Sequence, residues 1–75
     1  MHEYEKEFKK LGENIKKLRI ENNMSVKELS QKTGIRIPYL YKIEQGKAYG
    51  VCIEKHLYKI CCVFKIKMSD LFKNF

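Results

Sequence analysis

The residues in this chain with the widest chemical repertoire are two histidines and three cysteines. Cys52 and His56 stand four apart, the spacing that puts two side chains on one face of a helix. Such a pair supplies two metal ligands, whereas a structural zinc site needs four, and no second pair at ligand spacing follows. No metal is therefore expected. His2 belongs to a terminus expected to fray, and neither histidine has a serine, cysteine or carboxylate arranged with it as a nucleophile and base. No glycine loop of the phosphate-cradling kind occurs. The expectation is a protein with no catalytic residues, no cofactor and no small-molecule ligand, and so not an enzyme. Cys61 falls in an apolar register, where a buried thiol acts as a small hydrophobe. Cys62, one position round, is the candidate for redox chemistry, although nothing nearby in sequence lowers its pKa beyond the general positive charge.

What the chain does carry is charge. Sixteen lysines and arginines against nine acids give a formal net charge of +7 and a pI near 9.4. The excess is uneven. Residues 1–23 hold six basic and five acidic groups, whereas 24–47 hold five against two and 48–75 again five against two. The positive field thus belongs to the middle and the end of the chain, and it favours a polyanionic partner without choosing between nucleic acid and an acidic membrane. No apolar run approaches membrane-spanning length, and the start, MHEYEKEFKK, is charged where a signal peptide would be apolar. An odd number of cysteines, with Cys61 and Cys62 adjacent, makes no disulfide framework. A cytoplasmic protein without membrane attachment is expected.

Seventy-five residues make one small domain, 1–75, whose core has room for about five helices. Its most legible stretch is Ser25 to Glu44. Ser25 followed by Glu28 is a capping box, and Met24 with Leu29 is placed as a hydrophobic staple, so a helix begins at Ser25. Gly34 after Thr33 ends it, glycine accepting the left-handed conformation past a helix end. A second helix must start within a residue or two of Ile35, because Pro38 is tolerated only in a first turn. Leu40 and Ile43 face inward, leaving Arg36, Ile37, Tyr41 and Lys42 to point elsewhere. Gly46 closes this helix, and Ser30 is the small residue where the two helices touch.

Before this motif, apolar residues at Tyr4, Phe8, Leu11, Ile15 and Leu18 trace one stripe of a helix that ends at Asn22 and Asn23. Gly12 costs that helix roughly 1 kcal/mol relative to alanine and signals close approach by another element. After the motif, Ala48, Tyr49 and Gly50 form a loop. A helix near Val51 to Phe64 then places Ile53, Leu57, Ile60, Cys61 and Phe64 on one face. A short terminal helix holds Met68, Leu71 and Phe72, with Phe75 at the end. So small a domain has trouble burying all of these, and Met68, Leu71, Phe72 and Phe75 are expected to form a dimer interface.

Small Ser30, Gly34 and apolar Leu40 and Ile43 resemble the helix-turn-helix of the Cro and phage-repressor (XRE) family. The likeness extends to Leu18-Arg19, to Ile43-Glu44-Gln45-Gly46-Lys47 and to Met68-Ser69-Asp70-Leu71-Phe72, so that it spans Leu11 to Phe72. It implies an all-α, compact five-helix, lambda-repressor-like domain, with 1–10 as an N-terminal helical extension, 25–44 as the motif and 65–75 as a C-terminal helix. The loop after Lys47 lacks the family's usual proline and is longer. The resemblance further implies that the second helix of the motif enters the major groove of double-stranded DNA while the first crosses the backbone. Arg36, Ile37, Tyr41 and Lys42 are then the base readers. Arg36 suits guanine, Lys42 guanine or a phosphate, and Ile37 a thymine methyl. Ser25, Val26, Lys27, Tyr39, Gln45, Lys47 and Tyr49 are the backbone contacts. Arg19 and Glu44 match a structural ion pair, the alternative being Arg19 on a phosphate. The function implied is a sequence-specific transcriptional regulator, a repressor, that binds an inverted repeat as a homodimer. The competing reading is a protein-interaction module of the antitoxin or partner-binding kind, acting through Tyr4 and Phe8 or through Phe72 and Phe75.

Overall fold

Five residues that exclude solvent almost completely, Ile15, Leu29, Leu40, Ile60 and Leu71, come one from each element of the chain and meet in a single core. The computed structural model describes residues 5–48 and 53–72. Four helices appear in order, α1 (Glu5–Glu21), α2 (Val26–Thr33), α3 (Ile37–Glu44) and α4 (Ile53–Phe64), followed by a short 3-10 helix at Met68–Phe72. The described residues form no strand. α1 packs on α3 and on the 3-10 helix, α2 on α3 and α4, and α4 on the 3-10 helix. The expected all-helical architecture is present, its fifth element shortened to one 3-10 turn.

Local chemistry sets each boundary. Ser25 adopts an extended backbone and its hydroxyl accepts the Glu28 amide at 3.0 Å, which starts α2. Gly34, at φ 78°, ends it by donating to Ser30 O at 2.8 Å. A Cβ at Gly34 would meet nothing within 4 Å, so this glycine serves the backbone angle alone. Ser30 donates its hydroxyl to Ile35 O, and Thr33 Oγ1 both donates to Leu29 O and accepts from the Ile35 amide. The α2–α3 turn is therefore braced by two side chains that replace missing backbone partners. α1 ends at Asn22 and Asn23, with Asn23 at φ 53° and the Met24 amide reaching back to Arg19 O at 2.9 Å, a Schellman closure. The same closure recurs after α3 with Gly46 and after α4 with Lys65.

The α1 stripe packs inward, with Leu11 and Ile15 buried and Phe8 and Leu18 half-buried against the core. Phe8 thus covers the core; Tyr4 lies outside the described residues, as do Tyr49, Gly50, Val51, Cys52 and Phe75. Gly12 faces the end of α3, where an added Cβ would collide with the carbonyl oxygens of Ile43 and Glu44. Gly46 meets α1 from the other side, its missing Cβ leaving space for the Lys9 backbone. Two glycines thus let α1 and the C-terminal end of α3 touch backbone to backbone.

One expectation fails here. Leu71 is not available to a second subunit: it is fully buried, and its carbonyl accepts the Asn14 side chain at 2.7 Å. Met68 is half-buried against the core, 3.6 Å from the Cys61 sulfur. The domain buries these residues because the 3-10 helix folds back between α1 and α4. Phe72 stays 41% exposed.

α1 and α3 are also joined by charge. Arg19 Nε donates to Glu44 Oε2 at 2.7 Å, a terminal guanidinium nitrogen to Oε1 at 3.2 Å, and the other to Met24 O at 2.9 Å. The two side chains are 13% and 5% exposed. The hydrogen bond to Glu44 raises the arginine pKa further above its ordinary value against the opposing effect of burial. Removing one member strands the other. Glu44→Ala is expected to lose about 3–5 kcal/mol in urea unfolding, while the double replacement Arg19→Met with Glu44→Leu recovers most of that loss. Single variants as stable as the parent chain would contradict this reading of the pair.

Candidate nucleic-acid interface

α3 turns one face to the core and the other to solvent. Leu40, Ile43 and Glu44 are buried, while Arg36, Pro38, Tyr41, Lys42 and Gln45 are exposed and Ile37 is half-buried. Residues three and four apart share a helix face, so Pro38, Tyr41, Lys42 and Gln45 form one outward surface with Ile37 at its edge. Ile37 also packs against the core, which fixes its position and leaves only part of it to touch a ligand.

Arg36 occupies the N-cap of α3 yet makes no capping hydrogen bond with its side chain. The cap position normally belongs to serine, threonine, asparagine or aspartate. The helix starts because Pro38 presets the first turn and because the Tyr39 and Leu40 amides both reach Arg36 O at 3.0 Å. The Arg36 guanidinium is consequently projected outward at the end of the helix that a major groove would meet first.

α2 supplies a second set of groups. Ser25 and Lys27 are exposed. The Val26 side chain, by contrast, is 7% exposed and belongs to the core, so this residue can approach DNA only through its amide. The Glu28 and Leu29 amides are taken by Ser25. Val26 and Lys27 therefore hold the unpaired first-turn amides that attract anions. Gln45 and Lys47 lie exposed beyond the end of α3. Of the two acids between residues 24 and 47, Glu44 is neutralised by Arg19, so within this segment the exposed Lys27, Lys32, Arg36, Lys42 and Lys47 stand beside one exposed acid, Glu28.

Tyr39 is held differently from what its candidate role requires of an exposed contact. It is half-buried, with its ring centroid 4.8 Å from that of His56 on α4 at an interplanar angle of 59°. This contact joins α3 to α4, and sequence inspection does not reveal it because the two residues are far apart in the chain. His56 Nδ1 is buried without a hydrogen-bond partner. Among the described residues no group of three or more potential metal ligands occurs, and Cys52, which stands four residues before His56, lies outside them. Cys61 is buried, which raises its thiol pKa, and Cys62 is exposed. No helix among the described residues is long and apolar enough to cross a membrane.

Burial, with Lys59 and Lys55 nearby, lowers the His56 pKa below its ordinary 6.5. The unfolded chain then takes up the proton first, so this residue costs nothing above pH ~6.5 and destabilises the fold as pH drops below it, levelling off under the folded value. His56→Phe should flatten the fall in thermal midpoint between about pH 7 and pH 5.5; an unchanged slope would remove His56 as its source.

The residues 14–74 match the family model described as the Cro/C1-type HTH DNA-binding domain. Among solved structures, the chain is similar to the restriction-modification controller protein C.AhdI from Aeromonas hydrophila. The TM-score is 0.77 at 22% identity, over 87% of this chain and 96% of that one. At that identity the likeness carries the fold alone. A search of curated proteins finds no match. The braced turn, the solvent-facing α3 and a family match running from the middle of α1 past the 3-10 helix lead to one conclusion: the chain belongs to the Cro/C1-type helix-turn-helix DNA-binding domains.

Proposed function

We propose that this protein is a sequence-specific transcriptional regulator, a repressor, which binds an inverted-repeat operator as a homodimer. The observation that carries the reading is the outward face of α3, where Arg36 is uncapped and Tyr41 and Lys42 are exposed on a helix fixed by its buried face. In this arrangement α3 lies in the major groove, with Arg36 on guanine O6 and N7 and Lys42 on guanine or an adjacent phosphate. Ile37 and Tyr41 touch base edges. The α2 N-terminus, through the Val26 and Lys27 amides and the Ser25 and Lys27 side chains, takes a phosphate on one side of the groove. Gln45 and Lys47 take phosphates on the other, Tyr49 is a further backbone contact, and Tyr39 contributes only through its exposed edge.

A homodimer places two such helices about 34 Å apart, one turn of B-DNA, and turns a short half-site into a palindrome. With Leu71 committed to the core, the dimer face is Phe72, 41% exposed, and the outer part of Met68. The fold likeness to a restriction-modification controller is consistent with a small regulator of this size.

Selection of bound duplexes from a randomised library at near-physiological salt tests the proposal. Enrichment of a palindrome with half-sites one helical turn apart is the expected result. On the selected duplex, Arg36→Ala should cost about 1–3 kcal/mol and relax preference at one base pair. Lys27→Ala should weaken all sequences alike and lower the salt dependence of binding by about one unit. Binding without an enriched motif, or affinity indifferent to Arg36→Ala and Lys42→Ala together, would refute sequence reading by α3.

A further inference from the structure

The side chains that α3 exposes share a chemical property beyond their charge. From Arg36 through Lys42 the chain offers no carboxylate and no carboxamide. Arginine and lysine donate hydrogen bonds and accept none, and isoleucine and proline do neither. Glu44 is 5% exposed and held by Arg19, and Gln45 lies at the C-cap, away from the end of the helix that meets base edges. Tyr39 is turned against His56. The Tyr41 hydroxyl is thus the one side-chain acceptor on the first two turns of the exposed face. On its N-terminal side the neighbours are apolar: Pro38 precedes Tyr41 by three residues and Ile37 by four, so the three adjoin, and Tyr41 is 49% exposed.

The four bases present different groups in the major groove. Adenine displays an N7 acceptor beside an amino donor and cytosine an amino donor, each amino group needing a protein acceptor to be read, whereas guanine displays two acceptors and thymine an O4 acceptor with a C5-methyl group. A face with donors and apolar surface, and almost no acceptor, is matched to guanine and thymine. We infer that α3 reads its half-site through thymine C5-methyl groups packed on Ile37, Pro38 and Tyr41, alongside guanines held by Arg36 and Lys42. The inference rests on the DNA-reading role proposed above for α3 and narrows it to the two bases the surface can recognise. Adenine and cytosine at contacted positions are then specified through their partners on the opposite strand.

Uracil differs from thymine only by the absent methyl and keeps the same O4 acceptor, so it isolates the contact. Randomised duplex libraries made with thymidine and with deoxyuridine are selected in parallel, and the thymidine-selected duplex is rebuilt with uracil at single positions. The thymidine library should yield a half-site with contacted guanines and thymines. Each critical methyl removed should weaken binding about fourfold, the effect of losing one buried methyl-sized group. Tyr41→Ala, whose folding is checked by thermal melt, should bind the thymine duplex more weakly and lose discrimination at one position. Tyr41→Phe should retain it. Equal affinity for thymine and uracil duplexes would overturn the inference. So would discrimination that survives Tyr41→Ala, which assigns it to DNA shape, or that vanishes in Tyr41→Phe, which assigns it to the hydroxyl. A thymidine library without any motif would instead remove the underlying DNA-reading proposal.

Discussion

The contact between α1 and the C-terminal end of α3 is the constraint on which the rest of the structure depends. It has a steric and an electrostatic part. Gly12 and Gly46, three residues from each other's partner positions on the two helices, let the backbones meet where any side chain would hold them apart. Arg19 and Glu44 then cross the seam with two hydrogen bonds, and a third from Arg19 to Met24 O ties in the approach to α2. A short helix of eight residues has little intrinsic stability. Its direction is set by what it is fastened to, and α3 is fastened at its C-terminal end to α1 and at its N-terminal end to α2 through the Ser30, Thr33 and Gly34 turn.

The pair also shapes the outward electrostatics. An acid on α3 would repel phosphate if it faced solvent. Glu44 is instead buried and countered, so its charge serves the fold while Arg36, Lys42 and Lys47 act at the surface unopposed by it. Buried ion pairs return little net stability once desolvation is counted, and their better-attested use is to specify one arrangement over others. Here the arrangement specified is the angle at which α3 presents its exposed face. The Tyr39–His56 contact extends the same logic to α4, so that the helix is held by apolar, aromatic and charged contacts on three sides while one face stays open.

Much of this was legible in the sequence where the determinant is local. The Ser25 cap, the left-handed Gly34 and the Pro38 first turn each depend on residues within a few positions, and the helix boundaries follow from them. Gly12 was readable as a close approach because a mid-helix glycine otherwise has no justification. The partner it approaches was not readable. Leu71 was misassigned to an interface because counting apolar residues does not reveal that Asn14, on the distant first helix, captures the backbone of the last turn. Val26 looked like a surface residue at a helix start, yet its side chain closes the core. Gly46 read as a helix stop and has a second task against Lys9 that only tertiary structure exposes. His56 was expected to bind no metal, but nothing local in the sequence indicates that its ring packs on Tyr39.

The central claim is that the open face of α3, with the α2 N-terminus beside it, is where this protein meets DNA. Amide chemical-shift mapping of the isotopically labelled chain with an enriched duplex measures this directly. The account predicts that the shifts concentrate at Ser25 to Lys27, Arg36 to Lys42 and Gln45 to Lys47, with the outer face of α1 at Glu13, Lys16 and Ile20 unmoved. Shifts centred on α1, with α3 silent, would contradict it.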